Sequence, residues 1–227
     1  MDRVREEVRA ERAYQKKIYG RNVTVAVLDS GVYPHPDYKD RILNFKDMIQ
    51  NKKDPYDDYG HGTHICGIIA GNGSRSKGKY AGMAPACKLV DIKVLNGRGE
   101  GSMADIMNGL DYILKNYLRY RIRIVNISAG ALGDEYGQDS EFVKKVEEVW
   151  DHGMIVVAAA GNSGPKPGSI LAPGNSRKVI TVGAYDLDGK NGYYSGVGPL
   201  MDGSCIKKPD IVAPGYRIAS ESNCPHF

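Results

Sequence analysis

One apolar stretch near the start of the chain constrains the fold more than any other. From Val23 to Val32 the residues are nearly all apolar, and the single carboxylate, Asp29, falls towards the end of the run. A near-continuous apolar run is typical of a parallel β-strand that is covered on both faces. Open sheets of such strands place ligands and chemistry beyond the carboxyl ends of the strands. The sequence therefore predicts an α/β fold with Asp29 at a functional edge.

A second stretch, Tyr59–Gly71, places a histidine between two glycines and continues with small and apolar residues. Gly60 and Gly62 permit close backbone approach and unusual φ/ψ angles, so His61 is predicted at a sharp entry into a helix. Taken alone, such a histidine is as often a structural residue as a functional one. Thr63 is expected to cap the helix start. The residues that recur at helical spacing and are expected to face the core are Ile65, Ile68 and Ile69.

Strand and helix patterns alternate along the chain, which indicates a mostly parallel sheet with helices on both faces. Strands are expected at Val23–Leu28, Lys88–Val94, Ile122–Ile127, Ile155–Ala159 and Val179–Ala184. Helices are expected after Thr63, from Ser102 to Tyr117 and from Ser140 to Asp151, and Ser102 with Asp105 resembles a capping box. The polar stretches Lys52–Tyr59 and Gly71–Gly82 are expected to be surface loops.

Three further segments resemble known sequence motifs, and their order along the chain is informative. Val156–Gly164 is an apolar strand ending in an Ala-Gly-Asn turn, and it lies between Met83-Ala84-Pro85 and Lys208–Gly215. Together with the Asp29 and His61 segments, these motifs resemble the subtilisin-type serine proteases (subtilases), in particular their intracellular bacterial members. The resemblance implies a three-layer subtilisin-like α/β fold. It also implies a peptidase domain over 18–227. The residues before this domain, 1–17, are crowded with charge and predict a short helical extension.

The resemblance implies roles for three side chains. Hydrolysis of an amide by a serine needs a base that takes the proton of the serine hydroxyl, and His61 matches that base. A buried carboxylate must hold the imidazole in one tautomer, and Asp29 matches it. Asn162 matches the side chain that donates to the oxyanion of the tetrahedral intermediate.

The same resemblance places the substrate. Subtilases bind an extended peptide as an added strand between two backbone segments. The matching segments here are Gly99-Glu100-Gly101 and Ser128-Ala129-Gly130, and Ala160-Gly161 precedes Asn162. Ala129 stands where the family has a larger apolar residue, and Glu100 favours basic substrate residues near it.

The nucleophile motif of the family, Gly-Thr-Ser-Met-Ala, does not occur in the sequence. Neither Ser195 nor Ser204 has the neighbours of that motif. The nucleophilic serine is therefore expected beyond Phe227, and the fold is expected to be incomplete at its C-terminal end. Two functions stay open at this point. One is a serine endopeptidase seen without its nucleophile and inactive as it stands, and the other is an inactive subtilase-like binding module.

Composition excludes other classes of function. The net charge of +4 is too small to argue for nucleic-acid binding, and no apolar run is long enough for a membrane span. A polypeptide is the expected partner, together with a C-terminal fragment of the same protein. No cofactor or metal is expected, because the Gly71–Gly82 loop has no carboxylate and Asp54, Asp57 and Asp58 resemble a solvated loop. Widely spaced cysteines (Cys66, Cys87, Cys205 and Cys224) and no visible signal segment favour free thiols in the cytoplasm, although an exported protein could join Cys205 to Cys224.

Overall fold

The apolar run that contains Asp29 forms a buried strand, β1 (Thr24–Asp29). The computed structural model of the protein describes residues 1–130, 137, 139–189, 194–200 and 206–223. Its contacts divide the chain into two units, Met1–Ile124 with Ile218–Phe227, and Val125–Arg217.

In the first unit, three parallel strands form the centre. β3 (Lys88–Lys93) lies between β1 and β2 (Ile42–Asp47) and pairs in parallel with both. The register sets Val27 beside Asp91 and Asp29 beside Lys93. The ends of β1 and β3 are thus level, so that Asp29 reaches the carboxyl edge of these strands.

Helices cover β1 on both sides. Cys66 of α3 (His61–Ala70) belongs to one core cluster with Val25 and Val27. Gly109 of α4 (Met103–Tyr120) lies against Leu28. Because alternate side chains of a strand point to opposite faces, the two helices pack on opposite faces of β1. The helix–sheet–helix arrangement predicted from the sequence is therefore present in this unit.

The N-terminal residues form two short helices, α1 (Asp2–Glu7) and α2 (Glu11–Gln15). The Arg5 guanidinium donates to the carbonyl oxygens of Gly78 and Lys79, and the Tyr14 hydroxyl donates to those of Gly82 and Met83. Val4 is buried, whereas Val8 is 44% exposed. The charged extension is thus attached to the loop that follows α3.

After the second unit the chain returns to the first at Ile218. His64 Nε2 lies 2.9 Å from the Ile218 carbonyl oxygen, and Ser220 Oγ donates to the His64 carbonyl oxygen over 2.9 Å. Asn223 Nδ2 donates to the Asp57 carbonyl oxygen over 3.0 Å. Hydrogen bonds therefore connect the returning segment to α3 and to the loop that precedes α3.

The second unit repeats the parallel arrangement. β4 (Ile122–Ile127) leads into it, and β5 (Ile155–Ala159), β6 (Ile180–Tyr185) and β7 (Ile211–Pro214) pair in parallel in that order. α5 (Glu141–Asp151) packs on β5 and buries an apolar stripe, namely Phe142, Val143, Val146 and Val149.

The predicted α/β class with mostly parallel strands is confirmed, and so is the cap at Ser102, whose hydroxyl accepts from the Asp105 N–H. Ser140 caps α5 in the same way, by accepting from the Val143 N–H. Two strands were not predicted. β2 interleaves polar residues and pairs on one side only with β3, and β7 has just four residues and leaves Ile211 and Val212 more than half exposed. Neither has the continuous apolar run that reveals β1.

Two of the four cysteines can be described. Cys66 and Cys87 are free and buried, as expected, and burial raises the pKa of both thiols. Cys205 and Cys224 lie outside the described residues. Within the described ranges, no helix is both long enough and apolar enough to cross a membrane.

Candidate active site

The candidate site is built where α3 begins against the end of β1. Gly60, the residue before α3, has φ +98, which a glycine adopts without steric cost. A Cβ atom at Gly62 would collide with the Gly31 carbonyl oxygen. The two glycines therefore allow the first turn of α3 to rest directly on the chain that follows Asp29.

This close approach brings two predicted site residues together. His61 Nδ1 lies 2.7 Å from Asp29 Oδ1, and Asp29 Oδ1 also accepts from the Ser30 N–H over 2.7 Å. The Asp29 side chain is fully buried, whereas 41% of the His61 side chain is exposed. A buried acid thus holds one nitrogen of an imidazole whose remaining surface is open to solvent.

The pair has the electrostatics of an acid-oriented base. The hydrogen bond to Asp29 raises the pKa of His61 and outweighs burial, which lowers it; the charges of Asp29 and Asp57 raise it further. Asp29 Oδ2 is buried and has no hydrogen-bond partner among the described residues. The carboxylate is therefore engaged through Oδ1 alone.

Two predictions about this region are wrong. Thr63 does not cap α3, because the helix begins at His61 and the Thr63 hydroxyl donates to Asp57 Oδ2. Asp57 does not belong to a solvated loop, because it is 8% exposed and its carboxylate accepts hydrogen bonds on both oxygens. Its neighbour Asp58 pairs with the buried Lys93 amine over 2.6 Å. A run of two aspartates in a polar stretch gave no sign of either role.

The predicted substrate segment Gly99–Gly101 forms a tight turn in the first unit. Asn96 Oδ1 accepts from the Glu100 N–H and the Asn96 N–H donates to the Glu100 carbonyl oxygen. A Cβ atom at Gly99 would collide with the ring of Tyr59, whose centroid is 6.4 Å from that of His61. Tyr59 is 51% exposed and was not predicted as a site residue, although it is the second residue before His61.

The other predicted site residues belong to the second unit. Ser128, Ala129 and Gly130 follow β4, with Asn126 Nδ2 donating to Ser128 Oγ over 2.7 Å. Ala160 and Gly161 follow β5, and Asn162 next to them is exposed. A Cβ atom at Gly130 or Gly161 would meet the Leu171 side chain. Leu171, which no motif indicated, therefore joins the two segments.

Comparison with known protein families gives a match. A match to the subtilase family covers residues 20–226. The chain belongs to the subtilase family. The resemblance inferred from the motifs is thereby confirmed.

Individual subtilases show the extent of the similarity. The chain is 45% identical over 213 residues to the serine protease AprX of Bacillus subtilis (strain 168), covering 88% of this chain and 48% of AprX. It is 34% identical over 222 residues to the major intracellular serine protease of the same strain, covering 94% of this chain and 64% of that protein. It also resembles the crystal structure of a cold adapted subtilisin-like serine proteinase (TM-score 0.73, 27% identity, 91% of this chain and 67% of that chain). The chain thus spans less than two thirds of either curated relative.

The environment of Ser195 in this subtilase chain does not fit a nucleophile. Ser195 is 8% exposed, and its hydroxyl accepts from the Ala184 N–H over 2.9 Å. Ser204 lies outside the described residues.

One group in the described part of the subtilase chain has metal-ligand chemistry. The ligand atoms of His35, Asp37 and Glu221 lie within 4.8 Å of one another. Asp37 Oδ1 already accepts from the Ser74 hydroxyl and the Arg75 N–H, and burial raises the pKa of Glu221. Hydrogen bonds thus account for the Asp37 carboxylate without an ion, and the absence of a metal stays a prediction.

Proposed function

We propose that the protein is a serine endopeptidase in which Asp29 orients His61 as the general base. The observation that carries this proposal is the 2.7 Å contact between His61 Nδ1 and the fully buried Asp29 Oδ1. Such a contact fixes the tautomer that carries its proton on Nδ1 and leaves Nε2 free to accept another. The activity is proposed for the whole protein, and the family match covers residues 20–226 of this chain.

The proposed reaction proceeds in two steps. His61 Nε2 takes the proton of a serine hydroxyl while the serine oxygen attacks the carbonyl carbon of the peptide bond. The imidazolium, stabilised by Asp29, returns that proton to the departing amine as the C–N bond breaks. A water molecule then repeats the sequence on the acyl-enzyme ester, with His61 as base, and frees the serine. We place the nucleophilic serine beyond Phe227.

Asn162 is the proposed donor to the oxyanion. Its amide is exposed at the turn after β5, so that it is accessible to a substrate. An amide N–H aimed at the developing negative charge is worth about 10²–10³ in rate, which is the magnitude known for the asparagine donor of subtilisin.

A polypeptide in extended conformation is the proposed substrate. We assign its backbone pairing to Gly99–Gly101 and to Ser128–Gly130, and we include Ala160 and Gly161 among the substrate-binding residues. The exposed Glu100 would favour basic side chains near it. Peptides that differ only in Lys, Leu or Glu at single positions test this; equal turnover of all three would remove the role of Glu100.

The resemblance to a relative named as an intracellular serine protease, together with the free buried thiols of Cys66 and Cys87, supports a cytoplasmic location as part of the proposal. Fractionation of cells that make the protein tests it, and recovery in the medium alone would contradict it.

A fluorophosphonate probe, which labels activated serines, tests the central proposal. The natural gene product should gain one adduct, on a longer chain or on a co-purifying C-terminal fragment, whereas a His61→Ala variant should gain none. Lys178→Ala, a change at an exposed lysine, serves as the control and should label fully. An unlabelled and proteolytically silent natural protein would instead indicate a subtilase-like binding module.

A further inference from the structure

Asp57 lies between the two residues of the candidate catalytic pair in sequence and binds the neighbours of both. Its Oδ1 accepts from the Ser30 hydroxyl over 2.9 Å, and Ser30 directly follows Asp29. The same oxygen accepts from the N–H groups of Tyr59 (3.1 Å) and Gly60 (2.7 Å), and Gly60 directly precedes His61. One carboxylate oxygen of Asp57 therefore accepts hydrogen bonds from a residue adjacent to Asp29 and from a residue adjacent to His61.

The second oxygen of Asp57 binds further into α3. Oδ2 accepts from the Thr63 N–H over 2.9 Å and from the Thr63 hydroxyl over 2.6 Å. The Ser30 hydroxyl, which donates to Asp57, accepts in turn from the Gly62 N–H over 2.9 Å. The network thus connects the end of β1 to the first turn of α3 on both sides of His61.

This arrangement replaces an ordinary helix cap. The first N–H groups of a helix have no partner within the helix, and a carboxylate near them also interacts favourably with the helix dipole. Gly60 has no side chain to serve as the cap, and the first turn of α3 contains no acid. Asp57 from the loop before α3 and Ser30 from the end of β1 accept from N–H groups of this turn instead.

The backbone that carries the Asp57 side chain is also held by hydrogen bonds. The Val32 N–H donates to the Tyr56 carbonyl oxygen over 3.2 Å, and Asn223 Nδ2 donates to the Asp57 carbonyl oxygen over 3.0 Å. Burial acts to raise the pKa of Asp57, but the hydrogen bonds from Thr63, Gly60 and Tyr59 lower it below its usual range. The group therefore carries a negative charge at neutral pH.

We propose that Asp57 is a positioning residue that holds His61 at hydrogen-bond distance from Asp29 by bonding the residues next to each. The inference rests on the proposed peptidase function for its kinetic consequence, but its structural consequence does not depend on activity. Among the described residues, the charged groups that act on His61 are Asp29 from β1 and Asp57 from the loop, and the Tyr59 ring lies next to the imidazole.

A second aspartate of the same unit provides a matched control. Asp47 is 1% exposed and accepts from the N–H groups of Ile49, Gln50 and Lys52 and from the Tyr56 hydroxyl. Hydrogen bonds lower its pKa against the effect of burial, as they do for Asp57. Asp47 thus has the same chemistry, but its direct hydrogen bonds reach no residue adjacent to Asp29 or His61.

The test compares Asp57→Asn with Asp47→Asn in the full-length protein, selectively labelled with ¹⁵N-histidine. Both variants should lose stability towards urea, because each places an amide N–H₂ opposite other donors. Only Asp57→Asn should lower the pKa of His61 towards its ordinary value of about 6.5 and shift the resonance of its Nδ1 proton. In the active protein, only Asp57→Asn should lower kcat/KM, by about 10²-fold, and move the acid limb of the pH–rate profile to lower pH.

Ser30→Ala keeps the experiment decisive if Asp57→Asn does not fold, because it removes one link of the network without changing any charge. It should shift the Nδ1 proton resonance of His61 in the same direction. An unchanged His61 titration in the folded Asp57→Asn and Ser30→Ala variants, or an equal change in Asp47→Asn, would overturn the proposal. If the natural protein proves to have no peptidase activity, the proposed function fails while the titration still decides the role of Asp57.

Discussion

The two units of the molecule differ in what they bury. Among the described residues, every buried carboxylate belongs to the first unit, namely Asp29, Asp37, Asp47, Asp57, Asp91 and Glu221. The described part of the second unit buries hydroxyls and one charged group, the Lys208 amine. The predicted site residues of the second unit are shaped instead by missing side chains, since Gly130 and Gly161 leave room for Leu171.

The difference shows two ways of fixing a backbone. In the first unit, carboxylates such as Asp47 and Asp57 each accept several N–H groups and so hold loops that have no regular structure. In the second unit, steric fit against a single apolar side chain holds two turns. The first way depends on ionisation and therefore on pH, whereas the second does not.

The largest effect expected of the first unit is on activity. Asp29→Asn in the full-length protein should lower kcat by about 10⁴-fold, the magnitude known for serine-protease triads, because the amide no longer fixes the His61 tautomer. Peptide hydrolysis measured from pH 5 to 10 checks it, with Asp47→Asn as the control. Because the pKa of wild-type His61 is raised, the wild-type activity should rise with pH only above about 6.5. An Asn variant with more than a tenth of the wild-type rate would contradict the proposed triad.

The charge pair of the second unit should have the next largest effect. Asp210 Oδ2 accepts from the buried Lys208 amine over 2.6 Å and from the Thr181 N–H over 2.7 Å. Asp210→Asn should lower the free energy of unfolding by about 1–2 kcal/mol at pH 7, since it leaves the buried Lys208 amine without its counter-ion, while solvent screens the 40% exposed Asp210 side chain. Asp139→Asn, a change at an exposed aspartate, should have little effect in the same urea titrations.

The stability that Asp210 contributes to the wild-type protein should depend on pH in one direction. Burial acts to raise the pKa of Asp210, but Lys208 and Thr181 hold it below its ordinary value. The stabilisation is therefore present above the unfolded pKa of about 3.9 and is lost as the pH falls through the folded value. A difference between wild type and Asp210→Asn that persisted unchanged at low pH would break this account.

Asp91 should behave in the opposite way. It is fully buried in β3, its Oδ1 has no hydrogen-bond partner among the described residues, and burial together with the charges of Asp29 and Asp57 raises its pKa. Stability should therefore be greatest below the unfolded pKa and fall as the pH rises through the folded value. Asp91→Asn should remove this decline and raise the free energy of unfolding by about 1–2 kcal/mol at pH 9. Equal slopes of stability against pH in the two proteins would contradict it.

Removal of a helix cap should have the smallest effect on the free energy of unfolding, and the effect should be equal in both units. Ser102 caps α4 and Ser140 caps α5, each by accepting an N–H of the first turn. Ser102→Ala and Ser140→Ala should each lower the free energy of unfolding by about 1 kcal/mol, and Ser→Thr at either position by less. A cost confined to one unit would show that the two units do not unfold together.

The sequence predicted the parts of the molecule whose structure leaves a pattern among neighbouring residues. The apolar run of β1 and the Gly-His-Gly start of α3 indicated the candidate pair, because burial and close approach leave a local pattern. Asp57 could not be found in this way. Asp57 and its partners Ser30 and Thr63 lie in three different segments of the chain. In sequence, a polar loop looks the same whether its carboxylate faces water or a helix. Leu171 was missed for a similar reason, since only the folded chain brings it to Gly130 and Gly161.

The return of the chain at Ile218 has a consequence for synthesis. The loop with Asp57 and the helix that begins at His61 are made early, but the contacts from Ile218, Ser220 and Asn223 exist only after the whole second unit has left the ribosome. Nascent chains generally fold from the N-terminal end. His61 and Asp29 are therefore translated long before their surroundings are complete. The hydrogen bonds from Ile218, Ser220 and Asn223 can form only after the intervening unit has been made.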